Sequence, residues 1–247
     1  MILIIPAAAD QLQKPYIFDS DPSGKLLLYK SVQGISLSSF SHIYITLLKK
    51  HVQKYHLLNE IEQAFQKENL WERVTITLLD NSSSEPYTIA ETIKQNNLKG
   101  EFMVKDTDNY FQIKPIAGNY ICSYPLDSLK RVNPSNKSYI ELDYSMYVTN
   151  IIEKRIIGRY FCVGGYCFRS AETFLVHYEK LNSLKSNKEA FYLSHIIFSM
   201  LMEGESFRPL IVSEYIDWGT EEEWKEYSKD ITIQGRGGTD FRPVFRY

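Results

Sequence analysis

The chain has 247 residues, 44% of them hydrophobic, enough to bury a sizeable core in one large domain or two small ones. Its 28 Lys and Arg nearly balance 30 Asp and Glu, and the formal charge of -2 provides no general field for nucleic acid or an anionic membrane. Any anion that binds must therefore be held by a local site.

The opening "MILIIPA" is a continuous apolar run rich in β-branched residues and stopped by proline. It predicts a central strand buried on both faces, as in a parallel sheet. "MILIIPAAA" is too short to span a bilayer and has no basic leader, so the expected location is cytoplasmic. "SFSHIYITLL" (39–48) predicts a second strand, and apolar residues from Tyr55 to Phe65 at helical spacing predict a helix within 50–67. "RVTITLL" (73–79) reads as a third strand. "TIAETIKQ" (88–95) after "SSSEP" has a cap-then-helix pattern, and "GEFMVKD" reads as the fourth strand.

Four short β-prone segments follow, "NYICSYPL", "SYIELDY", "VTNIIEK" and "YFCVGGYCF", and then two helical ones, "SAETFLVHYEKL" capped by Ser170 and "KEAFYLSHIIFSMLMEG". "FRPLIVSEYIDWGT" predicts one last strand ending on an acid and a glycine, ahead of the short charged helix "EEEWKEYSKD". The alternation predicts an α/β fold, a three-layer α/β/α sandwich around a mostly parallel mixed sheet, over residues 1–228, with a tail at 229–247.

Ligands of such sheets bind beyond the carboxyl ends of the strands. "PAAADQLQKP", "DTD" and "DWGT" fall at three of those ends. Each also has a plain structural reading: acids punctuate solvated loops, and Asp217 or Thr220 would serve as a helix cap with glutamates at the helix's positive end. The five histidines form neither HExxH nor a triad order, and Cys122, Cys162 and Cys167 lack CxxC spacing and read as reduced core residues.

Taken in order, "IIPAAADQLQKP", "EPYTIAETI", "VKDTDNYF", "VTNIIEKRIIGRYFCVGGYCF" and "EYIDWGTEEEW" resemble the five characteristic segments of sugar-phosphate nucleotidyltransferases, a Rossmann-like nucleotidyltransferase fold. That resemblance implies coupling of an NTP to a phosphorylated sugar or similar small-molecule acceptor with release of pyrophosphate, in the supply of capsule or surface glycan. It implies Mg²⁺ on Asp108 and Asp217, with Asp106 a nearby alternative ligand, and phosphate contacts from Lys14 and Lys154. It also assigns substrate contacts to Ala7, Ala8, Glu85, Thr88, Asn109 and Glu153, and close backbone approach of the ligand to Gly164 and Gly165.

The first loop departs from the family pattern. Ala8, Ala9 and Asp10 stand where the family has a glycine loop, although glycines let N–H groups curl round phosphate. This motivates an alternative, a non-catalytic nucleotide- or sugar-phosphate-binding module. "GRGGTDF" in the tail lies outside the resemblance; it is slightly similar to a stretch of von Willebrand-type domains and reads as a homo-oligomer contact or a domain remnant.

Overall fold

The computed structural model describes residues 1–9, 15–128, 136–184, 190–220, 223, 224, 227 and 229. Strand β1 (Ile2–Pro6) lies inside a nine-stranded sheet, pairing in parallel with β2 (His42–Leu48) on one side and β4 (Phe102–Lys105) on the other. The apolar run of β1 has the predicted cause: Leu3 and Ile5 enter the core on one face, Ile4 enters the core on the other, and all three are fully buried.

Beyond β2, the strand β3 (Val74–Leu79) continues the parallel set. On the other side β9 (Tyr160–Phe168) runs antiparallel to both β4 and β6 (Tyr120–Pro125), and β10 (Arg208–Ile211) pairs in parallel with β6. The path is thus β10-β6-β9-β4-β1-β2-β3, with a branch in which β7 (Ser138–Leu142) pairs with both β9 and β8 (Val148–Glu153).

One face is covered by α1 (Leu27–Gln33) and α3 (Leu57–Gln66), through Leu28, Val32, Ile61 and Phe65. The other carries α4 (Glu85–Gln95), α5 (Ala171–Leu184) and α6 (Leu193–Met202), through Ile89, Ile93, Phe174 and Ile196. The expected three-layer sandwich around a mixed sheet is what forms. Cys122, Cys162 and Cys167 are free and buried within it. No helix among the described residues is long and apolar enough to cross a membrane.

Three local readings need correction. The helix expected within 50–67 is two helices, α2 (Lys49–Tyr55) and α3, because His56 adopts a left-handed backbone with φ of 53° between them. The segment expected as one strand over 207–220 is two strands in two sheets. β10 stays in the main sheet, while β11 (Ser213–Asp217) leaves it to pair antiparallel with β5 (Asn109–Gln112). The change of partner occurs at Val212, whose N–H still bonds Ser123 O, and is followed by a register shift with Glu214 at φ of 53°. Helix α1 was not anticipated at all.

Ahead of α1, the "DPSGK" turn wraps the buried Asp21, which is 3% exposed. Its Oδ1 accepts from Ser23 N at 2.8 Å, Ser23 Oγ at 2.6 Å and Lys25 N at 3.0 Å, and its Oδ2 accepts from Lys30 Nζ at 2.6 Å. Burial alone would raise this carboxyl, but the bonds from Lys30, Ser23 and Lys25 outweigh it and hold its pKa below the ordinary value. A lowered folded-state pKa stabilises the fold above the unfolded value of about 4, and that contribution is lost as pH falls through the folded value. Acid titration followed by circular dichroism is therefore expected to show Asp21→Asn losing less stability than wild type between about pH 4 and 2. Parallel curves would remove this role.

Candidate functional site

The acid-bearing ends of β4 and β11 are brought together by the small β5–β11 sheet. Asp217 is paired in register with Asn109, and Trp218 N donates to Asp108 O at 3.0 Å. Trp218 is fully buried, and its Nε1 donates to Thr107 O at 3.0 Å, so both its backbone and its ring tie the "DWG" segment to the "DTD" turn. As a result two carboxylates converge: a Cβ placed at Gly219 would lie 3.1 Å from Asp108 Oδ2 and 3.2 Å from Asp217 Oδ1.

Each acid is oriented by neighbours. Asp108 Oδ1 accepts from Asn109 Nδ2 at 2.8 Å. Asp217 Oδ1 accepts from Gly219 N at 3.0 Å, and its Oδ2 accepts from Tyr215 OH at 2.8 Å and pairs with Lys137 Nζ. Burial, then Asp217 and Asp108, push the Tyr215 hydroxyl well above its usual range, so it stays a donor. Tyr16 is raised in the same way by burial, Asp108 and Asp217.

Asp106 is turned elsewhere. Its carboxyl faces Glu85 at the first turn of α4, and both Asp106 Oδ1 and Glu85 Oε1 are buried with no hydrogen-bond donor. Burial, then the charge and hydrogen bond of Asp106, raise Glu85 well above the carboxylate range. Burial and then Asp108 push Asp106 up to about 7, against the lowering pull of Glu85, Lys105 and Lys137. The hydrogen bond between the two carboxyls raises Glu85 and draws Asp106 down.

Beneath this turn lies Lys105, which is fully buried. Its ammonium donates to Asp106 O at 2.5 Å, Asn109 O at 3.1 Å and Asn109 Oδ1 at 2.8 Å, and lies 4.7 Å from the Phe111 ring centroid. Burial lowers its pKa to about 8, while Asp106 and Asp108 pull the other way.

The remaining expected residues take varied positions. Ala7 and Ala8 are buried, Ala7 in the main core and Ala8 against Leu48, Leu79 and Tyr87, while Asp10 to Lys14 lie outside the described residues, as does the "GRGGTDF" tail. Thr88 is buried and spends its hydroxyl on Ser84 O and Ser82 Oγ at the start of α4. Glu153 accepts from Ser138 Oγ at 2.7 Å. Lys154 donates to Tyr192 OH at 2.7 Å and stacks on that ring; the lysine joined to the acid pair is Lys137, which sequence reasoning missed. Nothing in "NKSYIE" distinguishes it from any other surface cation.

Gly164 and Gly165 were assigned to close ligand approach, and the structure fills that space with protein. Gly164 has φ of 73°, and a Cβ there would lie 2.4 Å from Asp106 Oδ2. One at Gly165 would lie 2.6 Å from Phe111 and 2.8 Å from Cys122 Sγ. The glycines let β9 pass against the acidic turn. Thr220 does cap: Thr220 N donates to Glu223 Oε2 at 2.9 Å and Glu223 N to Thr220 Oγ1 at 3.2 Å, which leaves Asp217 free to face Asp108.

The donor set suits a hard divalent cation. Mg²⁺ is bound by one or two carboxylates and keeps its other positions for water and phosphate oxygens. Two converging carboxylate oxygens meet that need, and among the described residues no group of three His, Cys, Asp or Glu side chains forms a fuller protein cage.

By sequence the chain matches no family model and no curated protein. Its fold is similar to solved structures. One is a nucleoside-diphosphate-sugar pyrophosphorylase from Vibrio cholerae RC9, 16% identical, with a TM-score of 0.74 over 92% of this chain and 99% of that one. The chain has the fold of sugar-phosphate nucleotidyltransferases. The inositol-1-phosphate CTP transferase from T. maritima is 11% identical with a TM-score of 0.67 over 97% of both chains. A protein described as a glucose-1-phosphate thymidylyltransferase from Bacillus anthracis is 13% identical, with a TM-score of 0.67 over 98% of this chain and 97% of that one. The resemblance read from five short segments therefore holds at the level of the nucleotidyltransferase fold.

Proposed function

We propose that this chain is a nucleotidyltransferase that joins an NTP to a phosphorylated sugar or similar metabolite. A phosphate oxygen of the acceptor attacks the α-phosphorus; the new P–O bond forms as the bond to the bridging oxygen breaks, and pyrophosphate leaves. The observation that carries this reading is the meeting of Asp108, in the turn between β4 and β5, with Asp217 at the end of β11, beside Gly219.

Asp108 and Asp217 would hold Mg²⁺, which supplies charge neutralisation and alignment of the two anions when bound. Lys137 offsets the charge of Asp217 and sits ready to meet phosphate, with Lys14 and Lys154 as further phosphate contacts. The residues position and stabilise, and none needs to become a covalent nucleophile. Supply of capsule or surface glycan from the cytoplasm is the setting this chemistry suits.

The non-catalytic alternative draws on the first loop, where Ala8, Ala9 and Asp10 stand in place of the family's glycine loop and Ala8 is buried. Thermal-shift measurements with the four common NTPs, with and without Mg²⁺, separate the readings. An enzyme is stabilised by one NTP only when Mg²⁺ is present, by about 2.7 kcal/mol at a hundred times Kd, and then releases pyrophosphate with an acceptor. Stabilisation by an NDP-sugar or monophosphate alone, indifferent to Mg²⁺ and without pyrophosphate, would establish the binding module instead.

A further inference from the structure

We propose that Lys105 is a positioning residue for the cation site, acting through Asn109 to aim Asp108 at Asp217; this inference rests on the nucleotidyltransferase reading. A lysine is a costly choice for a fully buried position unless all its donors are used. Here its three bonds go to Asp106 O, Asn109 O and Asn109 Oδ1, all carbonyl or amide oxygens of the turn that carries the acids.

The two main-chain bonds close the turn, and the third decides which way the Asn109 amide faces. With its oxygen held by a donor that cannot accept, the amide must present Nδ2 to the other side, where Asp108 Oδ1 takes it at 2.8 Å. That fixes the carboxylate plane and leaves Asp108 Oδ2 facing Asp217 Oδ1. Without the lysine the amide is free to turn its oxygen toward Asp108, which repels it. Phe111 lies beneath the ammonium, and Gly164 leaves room for the Asn109 amide, since a Cβ there would lie 2.8 Å from Asn109 Nδ2.

The sign of the effect tests the proposal. A lysine acting only as a buried positive charge would oppose a nearby cation, so its removal would tighten metal binding. A lysine acting through orientation gives the opposite result. Lys105→Met keeps the volume and removes charge and donors; Asn109→Ala breaks the relay with no change of charge. Mn²⁺ binding to the full chain with a non-hydrolysable NTP, read from the free Mn²⁺ spin-resonance signal, is expected to weaken about 10- to 100-fold in each variant, the usual cost of losing an outer-shell partner. The double variant is expected to bind no more weakly than Lys105→Met alone, since both break one chain of bonds. In turnover the Mg²⁺ half-saturation rises while the acceptor KM at saturating Mg²⁺ stays put.

Tighter or unchanged Mn²⁺ binding in Lys105→Met, or effects that multiply in the double variant, would overturn the proposal while leaving the nucleotidyltransferase reading in place. Absence of Mn²⁺ binding by the unaltered chain would overturn both. If Lys105→Met does not fold, Asn109→Ala alone carries the test, because it breaks the relay with the lysine and its charge in place.

Discussion

Asp108→Asn is expected to reduce pyrophosphate release by about a thousandfold, or about 4 kcal/mol of transition-state stabilisation. The carboxylate at 108 supplies one of the two carboxylate oxygens found nearest Gly219 among the described residues, and an amide oxygen is a much poorer ligand for a hard cation. The same substitution should leave the melting temperature unchanged or raise it. In the free protein Asp108 faces Asp217 and adds to the charge that lifts Asp106, so neutralising it relieves repulsion, and the new side chain still accepts from Asn109 Nδ2. Activity and stability then move in opposite directions, as they do where a site is built from like charges. Asp217→Asn should lose activity as severely, and the pair of substitutions should cost little more than either one. Full turnover by Asp108→Asn would end the two-acid account.

The parts of this site that were legible in the sequence are those where one residue type serves one need. "MILIIPA" reads as a central strand because alternate side chains enter two cores, and that continuous apolar demand is visible without coordinates. The meeting of Asp108 and Asp217 could be expected because acids at strand ends recur in a recognisable order, and the fold brings the two together beside Gly219. Where a residue serves several masters the reading failed. Gly164 and Gly165 follow a strand and carry no side chain, which suits ligand approach as well as it suits packing against Asp106 and Cys122; only the contacts distinguish the two. Lys137 is one of 28 basic residues, and what selects it is the position of β7 at the branch of the sheet. "FRPLIVSEYID" has uniform β character, so its division between two sheets at Val212 depends on partners far away in the chain, Ser123 for one half and Asn109 to Gln112 for the other. His56 in a left-handed turn leaves the apolar spacing of two helices looking like one.

Trp218→Ala is expected to destabilise the fold by about 3–5 kcal/mol, the usual cost of emptying a buried aromatic site, and to lower Tm by roughly 10 °C for a domain of this size. The ring is fully buried against Leu27 and Tyr227, with the Tyr227 centroid 5.2 Å away. The consequence reaches the site, because Trp218 also ties the two acid-bearing segments: its Nε1 holds Thr107 O and its N–H holds Asp108 O. Trp218→Phe separates the two roles. It retains most of the packing and loses only the Nε1 bond, leaving Thr107 O short of a buried donor at about 1–3 kcal/mol. If that bond keeps Asp217 opposite Asp108, the Phe variant will need more Mg²⁺ for half-maximal turnover even at temperatures where it is fully folded. Were its Mg²⁺ requirement to match wild type, Trp218 would be a core residue that happens to lie beside the acids, and the register of β5 with β11 would have to be what holds them together.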